Sequence, residues 1–490
     1  MSDDKAPRAP FRALPRVATA FDITLRVTAV AIAVSLAIAA WHDVSQAYDV
    51  WYYHLPFAAR LAGMMDAGTY AFAADNQVRF EGFPLLGELL QGLVWRATGH
   101  IQTTNLVSLA ALFALPIFLR RVFAVPLHLA LLALLAIPLV HIHATSSYVD
   151  LPANVCATLL LLCVYRTLVA GVPPTPRFLA GCTGLAAAAT NAKFQLVPVV
   201  TLASAALVVG ALRGLTTWHL ATADTRKLVV RRIVVIAIAF PVVFATPLKN
   251  AALHGNPVWP VELRVLGRSL PYAEEAYASS PPHLAEAPGP LRFVRSALEV
   301  DNRPIATHRR WSLDQWAPPD EPGYRMGGFF GAYVAIQLLA LVWTAWRRRT
   351  RKAIVAVALF GAVSVLASIV PQSHELRYYM HWMLLLTSLN LVLWAESAPW
   401  AVGIVATSAL AVVTWSTDAA YLYASGSTFQ EFVGQRVERS VIESARPGER
   451  LCIARPPFTI LYAPLFHPGT THTVQEASSD ADCGSSRQIR

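Results

Sequence analysis

The sequence predicts an all-α protein that crosses a membrane many times, and three observations lead to this fold class. Hydrophobic residues make up 55% of the 490-residue chain and charged residues only 14%, whereas a soluble protein carries about 25% charged residues. Apolar segments of about 20 residues, the length of a bilayer-spanning helix, recur along the chain. Basic residues stand in short clusters between these segments, so the net charge of +10 indicates membrane orientation and argues against a nucleic-acid partner.

The apolar segments define the expected domain organisation. Residues 1–21 are a polar, basic tail, and the first apolar run lacks a small-residue cleavage site, so we expect a retained first span rather than a signal peptide. Residues 22–420 form the predicted transmembrane module. Its eleven predicted spans are 22–42, 103–121, 125–145, 150–170, 177–191, 195–213, 231–248, 328–346, 353–370, 378–396 and 399–420.

The distribution of basic residues predicts the orientation of the chain. With the N-terminus in the cytoplasm, the clusters at 120–121, 226–232 and 347–352 all face the cytoplasm, as the positive-inside rule requires. The outer side then receives the loops 43–102 and 249–327 and a small C-terminal tail, 421–490. We expect the inner (plasma) membrane of a bacterium, with the C-terminus in the periplasm and a role in the cell envelope.

One segment of the first outer loop allows two interpretations. Residues 83–97 are apolar enough to suggest a span, but they number only 15 and include Glu88 and Gln91. A span here would invert the charge pattern of most of the chain. We therefore predict two helices that lie along the membrane surface, about 50–64 and 83–97, and keep an extra short span as the alternative.

The first outer loop begins with a carboxylate among aromatic residues. A charge at a membrane boundary is costly to hold and indicates a functional role, so we predict that Asp49 is catalytic. The residues predicted to line a substrate groove beside it are Trp51, Tyr52, Tyr53 and His54. The alternatives are an interfacial aromatic belt and an Asp49 that only caps the next helix.

Three more charged residues are predicted at the same outer boundary. Asp150 is the second catalytic candidate, and its alternative is a cap, because Asp followed by Leu-Pro begins helices well. Lys193 and Arg377 are candidates to bind the phosphate of a lipid headgroup, with Tyr378 in the groove. Lys193 could instead be a snorkelling anchor, and Arg377 could pair locally with Glu375.

The order of these features resembles that of integral-membrane glycosyltransferases of the GT-C superfamily, in layout most of all the protein O-mannosyltransferases and lipid A aminoarabinose transferases. The resemblance covers about residues 20–400. Its motifs are Asp49 with Tyr52-Tyr53-His54, Phe83-Pro84-Leu85, Asp150, Lys193, Gly255-Asn256-Pro257 and Arg377-Tyr378. The sequence departs from the aminoarabinose transferases at Phe83, where they have a lysine, and from the mannosyltransferases at Val50, where they have the Glu of an Asp-Glu pair.

The resemblance implies an inverting sugar transfer on the outer face from a polyprenyl-phosphate donor, without a nucleotide. Lys193 and Arg377 would stabilise charge on the departing phosphate. Asp49 would act as general base, and Asp150 would orient the acceptor or share a metal. No cofactor is predicted; a divalent metal stays open, because nothing shows a firm ligand spacing. The acceptor stays open among a lipid, a glycan and a protein.

The cysteines divide into two groups. Cys156, Cys163 and Cys182 lie in apolar spans, where we expect unreactive packing residues. Cys452 and Cys483 lie in the C-terminal tail. Because the periplasm is oxidising, a disulfide between these two is predicted.

Other functional classes compete with an enzyme. A transporter or flippase of lipid-linked sugars would carry ionisable residues near the middle of the membrane, whereas the candidates here lie at its outer boundary. A non-catalytic partner in envelope assembly and a glycan polymerase or ligase with a lipid-diphosphate donor are further alternatives.

Overall fold

The structure is a computed structural model, and it describes most of the chain. The described residues are 15–45, 47–212, 222–275, 284, 286–300, 310–311, 328–370, 372–417, 428–454, 456–477, 483 and 486–489. The predicted N-terminal tail therefore lies largely outside the described residues, as do parts of the loop 249–327 and residues 418–427.

The protein is built mainly from α-helices. Their bounds are α1 Pro15–His42, α2 Leu55–Leu61, α3 Ala74–Gly82, α4 Leu86–Thr98, α5 Leu106–Phe123, α6 Leu127–Leu135, α7 Pro138–His143, α8 Asp150–Ala170, α9 Pro176–Thr190, α10 Val197–Leu212, α11 Ala223–Val243, α12 Ala245–His254, α13 Gly289–Ala297, α14 Gly331–Arg348, α15 Arg351–Ile369, α16 Met380–Trp394, α17 Pro399–Ser416, α18 Phe429–Arg436 and α19 Arg439–Glu443. A π-helical turn covers Val50–His54, and short 3₁₀ turns cover Ile101–Asn105, Phe194–Leu196, Leu376–Tyr379, Phe458–Tyr462 and Pro464–Phe466.

The chain is a multi-pass membrane protein, as predicted. Among the described residues, six helices are long and apolar enough to cross a membrane, and the bent pair α11–α12, with 57° between its parts, makes up to seven. Each of the eleven predicted spans overlaps a helix or a pair of helices in its described residues, whereas residues 213 and 418–420 lie outside them. The number of eleven spans is not confirmed. The segment 125–145, for example, breaks between α6 and α7, where Pro138 begins a new helix because it cannot continue the preceding one.

Helix α8 lies at the centre of the bundle and packs against α5, α9, α10, α15 and α16. Its sequence is apolar on all sides, which is typical of a helix surrounded by others. Its 21 residues give a length of about 30 Å, which matches the hydrocarbon thickness of a bilayer. Asp150 begins this helix, so whatever Asp150 contacts lies at one end of the bundle.

The basic cluster 347–352 lies at the other end of α8. Arg351 donates a hydrogen bond of 2.9 Å to the carbonyl of Leu168, and the Tyr165 hydroxyl donates one of 3.3 Å to the carbonyl of Lys352. The long central helix therefore separates this basic end of the bundle from Asp150. That separation agrees with the orientation that the charge pattern predicts.

The segment 83–97 is largely one short helix. The 13 residues of α4 extend about 20 Å, which is too short for α4 alone to span a bilayer. Its buried face carries Glu88 and Gln91, whereas Leu90 and Leu93 are exposed. An additional helix, α3, precedes it in the same loop, which the sequence analysis did not predict.

The C-terminal region is a folded α/β module rather than the small tail that we expected. Strands β4 (Arg450–Ile453), β5 (Thr473–Glu476) and β6 (Arg487–Ile489) form a parallel sheet. The first outer loop adds β1 (Tyr70–Ala71) to its edge, beside β5. A separate hairpin, β2 (Arg264–Val265) and β3 (Arg268–Ser269), lies in the loop 249–327.

Aromatic contacts and a disulfide hold the C-terminal module. Trp51 stacks on Phe432 with ring centroids 5.0 Å apart, and Trp95 stacks on Phe466 at 6.0 Å. Cys452 and Cys483 are joined in a disulfide, the pairing predicted from the sequence. The module and the first outer loop therefore form one packed unit.

Candidate active site

Four charged residues that the sequence analysis predicted as functional form two ion pairs at one end of the bundle. A nitrogen of the Arg377 guanidinium donates to Asp49 Oδ2 at 2.8 Å, and the Lys193 ammonium pairs with Asp150 Oδ1. The side chain of Asp150 is 1% exposed, those of Lys193 and Arg377 are each 11% exposed, and that of Asp49 is 16% exposed. The Asp49–Arg377 pair is thus the more accessible of the two.

Aromatic rings join the two pairs into one cluster. The Lys193 ammonium lies 4.4 Å from the centre of the Tyr378 ring, and the Arg377 guanidinium lies 4.9 Å from the same ring. Arg377 also lies 5.5 Å from the ring of Tyr148. Cations over aromatic faces are attracted by the ring quadrupole, so Tyr378 and Tyr148 restrict where the guanidinium can point. The sequence analysis missed Tyr148.

Each charged residue lies at the end of a helix or in a turn between helices. Asp49 precedes the π-helical turn and makes no side-chain capping hydrogen bond. Asp150 begins α8, and of its carboxylate oxygens Oδ1 binds Lys193 while Oδ2 has no hydrogen-bond partner among the described residues. Lys193 follows α9, and Arg377 lies in the 3₁₀ turn before α16. The alternative reading of both aspartates as helix caps is therefore wrong, because their carboxylates bind cations instead.

Arg377 does not pair locally with Glu375, as the alternative reading of this motif had it. A Glu375 oxygen instead lies 3.7 Å from a ring nitrogen of His374, while Arg377 reaches across the site to Asp49. These partners lie 328 positions apart in the sequence. The pairing therefore depends on the tertiary fold.

Asn154, which the sequence analysis missed, connects three parts of the site. Its amide nitrogen donates to the backbone carbonyls of Asp150 at 2.8 Å and of Arg377 at 3.2 Å. Its amide oxygen accepts from the backbone N–H of His381 at 3.0 Å and lies 2.9 Å from Nδ1 of the His381 ring. The contacts of Asn154 with Asp150 and His381 are buried and that with the Arg377 carbonyl is partly buried, so Asn154 fixes the turn that carries Arg377 against the start of α8.

Hydroxyl groups hold the turn that carries Tyr148. Ser108 Oγ donates to the carbonyls of Ser146 at 2.7 Å and of Tyr148 at 3.1 Å. Ser147 Oγ donates to Asn105 Oδ1 at 2.7 Å and lies 2.6 Å from Thr104 Oγ1. A buried network with satisfied partners is rigid, so this turn keeps Tyr148 and Asp150 at defined positions.

The predicted groove residues have different surroundings. Tyr53 packs against Phe83, with ring centroids 6.1 Å apart, and the Tyr52 hydroxyl donates to Asp75 at 2.6 Å. Burial, together with the nearby Asp49, raises the pKa of the Tyr53 hydroxyl. Tyr378 lies within the charged cluster described above.

Trp51 and His54, which were also predicted to line the groove, are both buried, so their part in a groove stays a prediction. Trp51 is buried against the aromatic rings of the C-terminal module, and His54 is buried with Nδ1 at 2.7 Å from Glu88 Oε1. Neither side chain offers an accessible surface. Trp51 and His54 instead support the position of the turn between them.

The cluster contains a buried cation with a donor that is free to bind an anion. Burial lowers the pKa of the Lys193 ammonium, although Asp150 pulls it in the opposite direction. Within the described part of the chain, Asp150 Oδ2 and Arg377 Nε are buried and have no hydrogen-bond partner. A buried cation with unused donor capacity can bind phosphate in a charge-assisted contact. No group of three or more His, Cys, Asp or Glu side chains suited to a metal occurs among those residues.

Comparison with known proteins identifies the fold. No family model matches the sequence, and no curated protein matches it either. The crystal structure of ArnT from Cupriavidus metallidurans bound to undecaprenyl phosphate is similar, with a TM-score of 0.52, 15% identity and coverage of 94% of this chain and 87% of that chain. The apo structure of the same protein gives a TM-score of 0.49, 14% identity and coverage of 94% and 86%.

The likeness to ArnT, a lipid A aminoarabinose transferase with the GT-C fold, confirms the predicted resemblance at the level of the fold. It extends over nearly the whole of both chains.

Proposed function

We propose that this protein is a membrane glycosyltransferase that moves a sugar from a polyprenyl-phosphate donor to an acceptor on the periplasmic side of a bacterial inner membrane. The observation that carries the proposal is the convergence of Asp49, Asp150, Lys193 and Arg377 at the end of the bundle opposite the basic cluster 347–352. The fold supports it, because ArnT, which shares that fold, was solved with undecaprenyl phosphate bound.

The cations bind the donor phosphate. The donor is a phosphodiester with one negative charge. When the sugar is transferred, polyprenyl phosphate leaves as a monoester that carries more negative charge. Groups that stabilise charge as it develops accelerate the reaction. Arg377 fits this role best, since its guanidinium can contact two phosphate oxygens at once and its own carboxylate partner is the more exposed one.

Asp49 is the general base. When the phosphate takes over Arg377, Asp49 loses its ion-pair partner and becomes free to accept a proton from the acceptor hydroxyl. The hydroxyl oxygen then forms a bond to the anomeric carbon, the bond from that carbon to the phosphate oxygen breaks, and the configuration inverts. Asp150 keeps Lys193 charged and in place, rather than acting on the acceptor directly.

A transfer assay tests this function. Membranes that contain the protein are incubated with labelled polyprenyl-phosphate sugars, and label in lipid, glycan and protein fractions is measured. Asp49→Asn should reduce transfer by about 10²- to 10⁴-fold, the contribution of a general base. Asp66→Asn is the matched control, because Asp66 lies exposed in the same loop and should keep full activity.

The same assay separates the proposal from a transporter. If labelled donor moves across sealed vesicles without any transfer of the sugar, the flippase alternative replaces the enzyme. If Asp49→Asn transfers as fast as the unchanged protein, the role of Asp49 is wrong.

A further inference from the structure

A buried polar contact joins the C-terminal module to the first outer loop. Glu476, at the end of β5, is 4% exposed. One of its carboxylate oxygens accepts a hydrogen bond of 2.9 Å from the Asn76 side chain, and the other accepts one of 3.2 Å from the backbone N–H of Ala73. Both donors belong to the start of α3, so the carboxylate sits at the N-terminus of that helix.

Asn76 continues the contact toward the site. Its amide nitrogen also donates to the backbone carbonyl of Tyr52 at 3.1 Å. Tyr52 lies in the π-helical turn that begins directly after Asp49. A chain of hydrogen bonds therefore runs from the module through Asn76 to the turn that follows the proposed general base.

The module touches the same turn from a second direction. Trp51, the residue before Tyr52, stacks on Phe432 of α18, with ring centroids 5.0 Å apart. The pairing of β1 with β5 is a further contact between the loop and the module, and the backbone N–H of Val474 donates to the Thr69 carbonyl at 3.0 Å. The aromatic stack packs the turn against the module, and the hydrogen bonds of Asn76 fix the position of the turn on that packing surface.

We propose that Glu476 is a positioning residue for sugar transfer, which sets the place of Asp49 through Asn76 and the Tyr52 carbonyl. This inference rests on the proposed function and adds a task for the C-terminal module. The module holds the catalytic turn in the geometry that proton transfer needs. Misplacement of a catalytic group by about 1 Å can cost about 10²-fold in rate.

The ionisation of Glu476 makes the contact dependent on pH. Burial raises the pKa of the Glu476 carboxyl to about 7, against the effect of its hydrogen bonds from Asn76 and Ala73. The charged and titratable groups that face this carboxyl are Asp75 and Arg79 from α3, Tyr48 and Tyr52 from the turn region, and Tyr70 from β1.

The sign of the effect follows from linkage. In the docked state, the C-terminal module packs against the first outer loop and buries Glu476. A carboxyl whose pKa is higher in this state binds its proton more tightly there, so protonation favours docking. Docking is therefore tightest below the ordinary pKa of 4.5, weakens as the pH rises toward about 7, and is constant above that value.

Hydrogen–deuterium exchange on the full-length protein in nanodiscs tests the proposal without an activity readout. Glu476→Ala should raise exchange in residues 50–54 at least tenfold over the unchanged protein. Glu443→Ala, at an exposed position of the same module, should change nothing. After correction for intrinsic rates, exchange in residues 50–54 should rise between pH 5 and pH 7 in the unchanged protein but not in Glu476→Gln.

Kinetics separate positioning from mere stability. If the transfer assay works, Glu476→Ala should lower kcat by about tenfold or more, while the KM for the donor stays within twofold. Asn76→Ala should have the same effect, and the double variant should be no worse than either single one, because both act through one chain of contacts.

Defined outcomes overturn the proposal. Unchanged exchange in residues 50–54 of Glu476→Ala would do so, and so would additive losses in the double variant. Loss of exchange protection in β4 would show that Glu476→Ala unfolds the whole module. In that case Glu476→Gln is the deciding variant, and exchange in residues 50–54 that still depends on pH in Glu476→Gln would overturn the proposal. Absence of transfer in every variant would refute the proposed function but leave the exchange result valid.

Discussion

The ion pair between Lys193 and Asp150 gives a quantitative test of the site. The perturbation is Asp150→Asn, which keeps the shape of the side chain but removes its charge. Asp150 is 1% exposed and Lys193 11% exposed at their side chains. The substitution would leave a buried ammonium without its counter-ion and beside the like charge of Arg377, which already disfavours the charged form of Lys193.

The degree of burial decides the magnitude. An exposed ion pair contributes about 0–1 kcal/mol to the free energy of unfolding, whereas removal of one partner from a buried pair costs about 3–5 kcal/mol. Since the amide of Asn can still accept a hydrogen bond from Lys193, we expect the lower end of this range, about 3 kcal/mol. A cost of this size reduces the folding equilibrium constant by about 100-fold.

A double-mutant cycle measures this cost. The assay is equilibrium unfolding of the purified protein for the unchanged chain, Asp150→Asn, Lys193→Met and the double variant. The double variant contains no unpaired charge at this position, so it should recover at least about 1.5 kcal/mol relative to the sum of the single losses. Single losses below about 1 kcal/mol, or losses that simply add, would refute the picture of a buried, coupled pair.

Three further predictions follow from individual contacts. Arg377→Lys keeps the charge but loses the planar guanidinium between Tyr148 and Tyr378, so the KM for the donor should rise about tenfold or more, and the KM for the acceptor should rise less. Equal increases of the two KM values in a steady-state transfer assay would indicate a structural role. Asn154→Leu removes the amide that joins Asp150, Arg377 and His381 and leaves the buried N–H of His381 unsatisfied, so thermal unfolding should show a loss of about 2–3 kcal/mol in the free energy of unfolding. An unchanged melting temperature would contradict this role. Cys452→Ser should destabilise the C-terminal module by about 2–4 kcal/mol and speed its proteolysis, whereas Cys156→Ser in α8 should not; equal proteolysis rates would show that the disulfide is dispensable.

The paired charges describe the resting state of the site. Two cations and two carboxylates give the cluster a net charge of zero, which keeps its burial affordable before a substrate arrives. A donor phosphate that displaces Asp49 from Arg377 would exchange one ion pair for another and leave the Asp49 carboxylate without a cationic partner. The same exchange frees a base at the moment when the acceptor needs one.

The sequence analysis predicted the parts of the fold that local pattern controls. Long apolar segments with basic ends identified the helices, and α8 matches its predicted bounds of 150–170. The sequence also placed four charged residues at helix ends on the predicted outer side, and we therefore expected them to converge: Asp49, Asp150, Lys193 and Arg377. These features depend on hydrophobic length and charge, both of which are visible in a single sequence.

The features that were missed depend on contacts between distant segments. The strand β1 has two residues and pairs with β5, about 400 positions later, so no local periodicity could reveal the sheet. Trp51 looked like part of a groove because aromatic residues are common at membrane boundaries, but the C-terminal module covers it. Asn154 and Tyr148 are single polar or aromatic residues in apolar surroundings, and nothing in their spacing distinguishes them from packing residues.

An experimental structure of the protein in a lipid nanodisc with polyprenyl phosphate tests directly whether Arg377 and Lys193 bind the donor phosphate. If the proposed site is right, phosphate density lies within hydrogen-bond distance of Arg377 and Lys193, and Asp49 is released from Arg377. The contradicting result would be phosphate density at the basic cluster Arg347–Arg349, just before the start of α15, with the Asp49–Arg377 contact intact.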